Sequence, residues 1–174
     1  MDRQIKDLME QGLTRSETFE QLKKQSSNQM RLANKIATFE PGSSSTQTVL
    51  LNRVLIVLCL LQACFGIWVI HSNVVPMDEE FGWQGIVATF ILTIFYFVGL
   101  FRMSFTGYAS FMLFCITVVA SYAYFFNHFP VVSIVGVLLA VAGGVLSYSV
   151  KVRLFPHMGF LDVRKDERGD YIFE

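Results

Sequence analysis

The stretch VLLNRVLIVLCLLQACFGIWVI, residues 49–70, is apolar enough to lie in lipid and long enough to cross it. Its uninterrupted part, Val54–Ile70, has 17 residues. At about 1.5 Å per residue that is roughly 25 Å of helix. Arg53 stands at the edge, where its stem can rest in hydrocarbon while its head reaches the headgroups. Three more apolar segments follow at about 85–101, 108–126 and 131–150, and Arg102 is the one Asp, Glu, Lys or Arg between Glu80 and Lys151. The sequence therefore predicts an all-α integral membrane protein whose four transmembrane helices form an antiparallel helical bundle. The short turn Arg102–Gly107 makes the second and third spans antiparallel neighbours.

Composition points the same way. The chain is 53% apolar, with 17 Phe, and only 16% charged, where soluble domains carry about 25% charged residues. Cys59, Cys64 and Cys115 all fall inside apolar segments. There they read as small hydrophobes, not as a disulfide framework. A polar arm precedes the first apolar run, so that span is expected to act as an uncleaved anchor.

Charge sets the expected orientation. Eight of the 14 Lys/Arg lie in residues 1–53, one follows the second span and five lie in 151–174. The loops after the first and third spans contain none. By the positive-inside rule both termini are cytoplasmic, and so clean a segregation suits a bacterial inner (plasma) membrane. Trp68 and Trp83, with Tyr122 and Tyr124, occupy the positions of an aromatic belt at the opposite interface.

Outside the spans the chain divides into a helical arm (1–40), a flexible linker (41–48) and a tail (151–174). In the arm, Ile5, Leu8 and Met9 mark one helix face, and Gly12 ends that helix. Thr14-Arg15-Ser16-Glu17 has the form of a capping box and opens a second helix carrying Phe19 and Leu22. A third helix follows Asn28, with Leu32, Ile36 and Phe39 on one side. So few large apolar side chains cannot make an independent core. Leu8, Phe19, Leu22, Ile36 and Phe39 are therefore the expected contacts to the membrane surface, another copy or another protein. In the tail, Phe160–Val163 and Tyr171–Phe173 flank a Gly-containing connection, a spacing that fits a small β-hairpin. The alternative is a tail laid along the inner membrane surface.

Gln11-Gly12-Leu13-Thr14-Arg15-Ser16-Glu17 resembles the turn of a helix-turn-helix and the short helical SHOCT modules of bacterial proteins. Nucleic-acid binding requires a basic face, and residues 1–48 hold seven Lys/Arg against six Asp/Glu. The preferred reading is a plain helical hairpin with no nucleic-acid partner.

Within the apolar run Val54–Ile70, Gln62 is the carboxamide, a candidate for a pore lining or an interhelical hydrogen bond. The fourth span carries a stripe of small residues, Gly136, Ala140, Gly143, Gly144 and Ser147, that suits close packing inside the chain or a dimer seam. His71, Asp78, Glu79, Glu80 and His128 form a candidate outer-face binding set. Their spacing matches no metal motif, so no metal site is assigned. No nucleophile–base pair, phosphate loop or paired catalytic carboxylates stand out, so no catalytic residue and no cofactor are assigned. The expected function is that of a non-catalytic accessory or partner-binding membrane protein, forming a homo-oligomer or binding another membrane or cytoplasmic protein. The alternatives are a small oligomeric transporter or channel subunit, and an immunity-type protein acting against a membrane-targeted toxin.

Overall fold

The computed structural model describes residues 2–24, 26, 28–39, 45–74, 76, 78–159, 163, 165 and 170–173. The Pro41–Ser44 part of the expected linker, Phe160–Asp162, and most of the expected tail connection lie outside the described residues. The chain separates into two compact units, one made of residues 1–45 with 152–174 and the other of residues 46–151.

The first unit contains α1 (Asp2–Glu10), α2 (Arg15–Lys23) and α3 (Gln29–Ala37). Each boundary has a local cause. Gly12, at φ 88°, ends α1. Its N–H bonds the Met9 carbonyl, and the next N–H, of Leu13, reaches back to Leu8. This paired closure needs a left-handed residue at the glycine position. Thr14 opens α2 with the expected capping box, and Asn28 opens α3 by accepting from the Arg31 N–H. Arm and tail share this unit. The Phe19 ring lies 5.4 Å from that of Tyr171 and 5.3 Å from that of Phe173. The tail pairs with itself through two isolated antiparallel bridges, Met158 with Val163 and Lys165 with Tyr171. Among the described residues it forms no strand; the Lys165–Tyr171 bridge spans the expected connection, while Met158–Val163 closes a separate, earlier turn.

The second unit holds α4 (Thr46–Val69), α5 (Glu79–Phe101) and α6 (Phe105–Phe125), and α7 (Pro130–Leu154) as far as Lys151. Each of these four helices is long and apolar enough to cross a membrane. A five-residue π-helical segment, Ile70–Val74, prolongs α4, and Asn73 Nδ2 donates to the Val69 carbonyl within it. The sequence reading left residues 71–84 as a loop; helix instead covers much of that range. Asp78 is the reason on the α5 side, since its carboxylate caps the Phe81 N–H at 3.0 Å. Glu79 and Glu80 then fall in the first turn, where the helix dipole favours negative charge. At the other end of the unit, α7 runs past residue 150 and carries Lys151 and Arg153 on helix.

Candidate functional site

Buried positions on α4 recur at Thr48, Asn52, Leu55, Cys59 and Gln62, and on α7 at Ser133, Gly136, Ala140, Gly143, Ser147 and Val150. Both rows alternate steps of three and four, which defines a narrow seam along each helix. Apart from Leu55 and Val150, the seams are polar or small. In lipid the outward faces gain nothing by turning inward, so small and hydrogen-bonding side chains mark the buried side.

Three hydrogen bonds join these helices. Asn52 Nδ2 donates to the Leu100 carbonyl at 3.0 Å. That carbonyl lies in the last turn of α5 and also accepts from the Met103 N–H at 3.0 Å. Tyr108 Oη donates to Asn52 Oδ1 at 2.7 Å, and Ser147 Oγ donates to the Tyr108 carbonyl at 3.2 Å. Asn52, Tyr108 and Ser147 are all buried. The amide of Asn52 thus ties α4 to α5 and α6, and Ser147 ties α7 to α6.

The turn between α5 and α6 supports that junction. Met103 adopts a left-handed φ of 48°. The N–H of Ser104 reaches back to the Gly99 carbonyl at 3.0 Å, while its hydroxyl accepts from the Gly107 N–H at 3.1 Å. One residue therefore closes α5 and opens α6. Gly99 and Gly107 let the two backbones touch, for a Cβ on Gly99 would sit 2.8 Å from the Gly107 Cα.

Higher on the seam, Gln62 is 6% exposed and neither amide atom has a hydrogen-bond partner among the described residues. Gly143 faces it. A Cβ there would meet Phe111 at 3.3 Å, Cys115 Sγ at 3.4 Å and Gln62 Oε1 at 3.5 Å. Gly136 lies against the Tyr122 ring, and Gly144 against Cys115. The whole small-residue stripe of α7, with Ala140 fully buried and Ser147 hydrogen-bonded, is thus in contact with or buried by this chain's own helices.

The candidate outer-face residues fall on two elements and a turn. Asp78, Glu79 and Glu80 belong to the α5 start, and His71 lies 6.4 Å from Trp83, ring to ring. His128 neighbours Phe129. Among the described residues no group of three or more His, Cys, Asp or Glu is placed to hold a metal ion. In the arm, Phe19, Leu22 and Ile36 are buried, while Leu8 and Phe39 keep partial exposure. Leu8 and Leu22 border a groove between α1 and α2, with Gln4, Asp7, Glu20 and Lys24 around them.

Three residues of consequence escaped the sequence reading. Asn52 stands just ahead of the uninterrupted apolar run, and its spacing of ten from Gln62 puts both amides on one helical face; that spacing was the available signal. Tyr108 marks only the start of the third predicted span, and nothing in its sequence neighbourhood points to Asn52. Lys151 seemed merely to end the membrane block, yet it is 1% exposed, with its ammonium 5.2 Å from the Phe105 ring centre and 6.0 Å from that of Tyr148. No protein-family model, no curated protein and no solved structure matches this chain.

Proposed function

We propose that the chain is a four-span integral membrane protein with both termini cytoplasmic, working as a non-catalytic accessory subunit that displays a small helical unit to a protein partner. The carrying observation is that residues 1–45 and 152–174 belong to one compact unit, joined through Phe19, Tyr171 and Phe173. A unit built from both ends of the chain requires both ends on one side of the bilayer, which an even number of crossings provides. The Lys/Arg distribution then favours the cytoplasmic side. The hydrogen bonds through Asn52, Tyr108 and Ser147 tie the four helices of the other unit to one another.

The partner-facing part is the α1–α2 groove around Leu8, because Phe19, Leu22 and Ile36 are taken up by the unit itself. The experiment is affinity purification in mild detergent, comparing the full chain with a Leu8→Glu, Gln21→Ala variant. A co-purifying protein lost from the variant supports the reading. Recovery of this chain alone from both preparations sinks it.

Gln62 favours a second reading, a small oligomeric transporter or channel subunit. An amide left without a partner in a membrane-spanning helix is costly, and such groups commonly line polar paths. Flux in reconstituted vesicles that changes with Gln62→Leu supports this alternative. Vesicles with no flux above that of empty ones remove it.

A further inference from the structure

We propose that the end of the four-helix unit carrying Arg53 and Arg102 is a docking surface for anionic phospholipid. The lipid phosphate meets the guanidiniums, and its acyl chains lie on the apolar side chains beneath them. From the functional reading above this takes only that α4 to α7 lie in a bilayer.

Arg53 lies near the start of α4, and Arg102 caps the end of α5. The bond from Asn52 Nδ2 to the Leu100 carbonyl, 3.0 Å, puts those two helix ends side by side. Arg53 follows Asn52 directly, and Arg102 stands just beyond Leu100, so both charges belong to one end of the unit. Both residues are exposed. Neither enters an ion pair; those among the described residues are Lys6 with Glu10 and Lys23 with Glu20.

Between Thr46 and Lys151 the acids are Asp78, Glu79 and Glu80, all at the start of α5. The length of α5 separates them from Arg102 by roughly 35 Å at about 1.5 Å per residue. That is several Debye lengths at physiological salt, so the unit's own carboxylates are too distant to neutralise either guanidinium. Lys151, the remaining cation of the unit, is buried against Phe105 and Tyr148 and is not offered to a headgroup.

Below each guanidinium runs an apolar row. On α4, Val57 and Leu61 continue the face of Arg53 and are 56% and 54% exposed. On α5, Val98 and Ile94 continue the face of Arg102, and both are exposed. Residues four apart share a helix face, so on both helices the cation stands at the outer end of an outward-facing apolar row. A phospholipid has the same layout, an anionic phosphate above hydrocarbon chains. Guanidinium pairs well with phosphate oxygens, and cations at the membrane surface attract anionic lipids. Soluble phosphate would meet the guanidiniums and leave the apolar rows uncovered; the lipid covers both.

The test is native mass spectrometry of the full chain released from detergent micelles, with phosphatidylglycerol titrated against phosphatidylcholine. Phosphatidylglycerol should bind saturably and roughly tenfold or more tightly than phosphatidylcholine. Arg53→Gln with Arg102→Gln should reduce it to the phosphatidylcholine level. Arg3→Gln with Arg31→Gln, which removes two exposed arginines of the other unit, should leave it unchanged. Equal retention of the two lipids, or equal loss from both double variants, overturns the proposal. If the first double variant fails to fold, the wild-type comparison still decides: a phosphatidylglycerol preference that is absent, or that added salt does not weaken, counts against it. A chain that fractionates without detergent and carries neither lipid overturns the bilayer reading itself.

Discussion

Tyr108 Oη and Asn52 Oδ1 lie 2.7 Å apart, joining α6 to α4 across positions 56 residues apart in the chain. The same Asn52 amide donates to Leu100 at the end of α5. Removing the phenol leaves Asn52 Oδ1 without its donor while preserving the ring. Tyr108→Phe should therefore destabilise the four-helix unit by about 1 kcal/mol, the usual size of an interhelical hydrogen bond in membranes. Asn52→Ala should cost more, because two helices lose a partner. Denaturation in mixed micelles, run as a double-mutant cycle, checks this; additive effects would mean the two residues are not coupled.

Gly99 and Gly107 should be the least replaceable glycines. A methyl at Gly99 would lie 2.8 Å from the Gly107 Cα, and backbone cannot swing aside as a side chain can. At Gly144 the nearest atom to a new methyl is Cys115 Cβ at 3.5 Å, an ordinary contact. Gly99→Ala should lower thermal stability in detergent by the 1–3 kcal/mol typical of overpacking, roughly, while Gly144→Ala should be near neutral. Equal effects at the two sites would refute the close approach of α5 and α6.

Phe19 is 5% exposed and packs edge-on against Tyr171 and tilted against Phe173. Phe19→Ala should cost about 3–5 kcal/mol, the range for truncating a buried aromatic. A loss of that size exceeds the margin of so small a unit. Limited proteolysis should then cut the arm and the tail together while residues 46–151 survive intact. Cleavage confined to the arm would show that the tail does not depend on it.

Glu17 gives the arm an acid-sensitive joint. Its pKa is held below the ordinary carboxylate value, first by the Thr14 N–H and then by the Thr14 hydroxyl. A depressed pKa means the charged form is favoured in the folded state. The capping contribution is therefore fully present above the unfolded carboxylate pKa and is lost as pH falls through the lower folded value. Helix signal from α2 should decline in that acid range, and Glu17→Gln should remove the pH response. A response that persists in the variant would move the effect to another group.

Four long apolar helices, the tight turn between α5 and α6 and the helix punctuation of the arm were legible from one sequence, because each rests on local chemistry. Apolar length is read residue by residue, and Gly12, Thr14 and Glu17 act within a single turn. The stripe Gly136-Ala140-Gly143-Gly144-Ser147 also announced a packing face, since small residues in lipid serve little else. Other features depended on where distant residues meet. Asn52, Tyr108 and Ser147 form one junction only because the turn at Met103–Ser104 folds α6 back along α5 and brings their faces together. Arg15 and His157 are 142 positions apart, and nothing in either neighbourhood points to the other. The arm looked too small to fold alone because part of the unit's core, including Met158, Val163 and Phe173, arrives from the far end of the chain. Sequence by itself determined which segments are helical and how apolar each one is, because both are local, periodic properties. The tertiary structure decided which polar groups pair and which aromatic rings from the two ends of the chain meet, because those outcomes depend on distances across space.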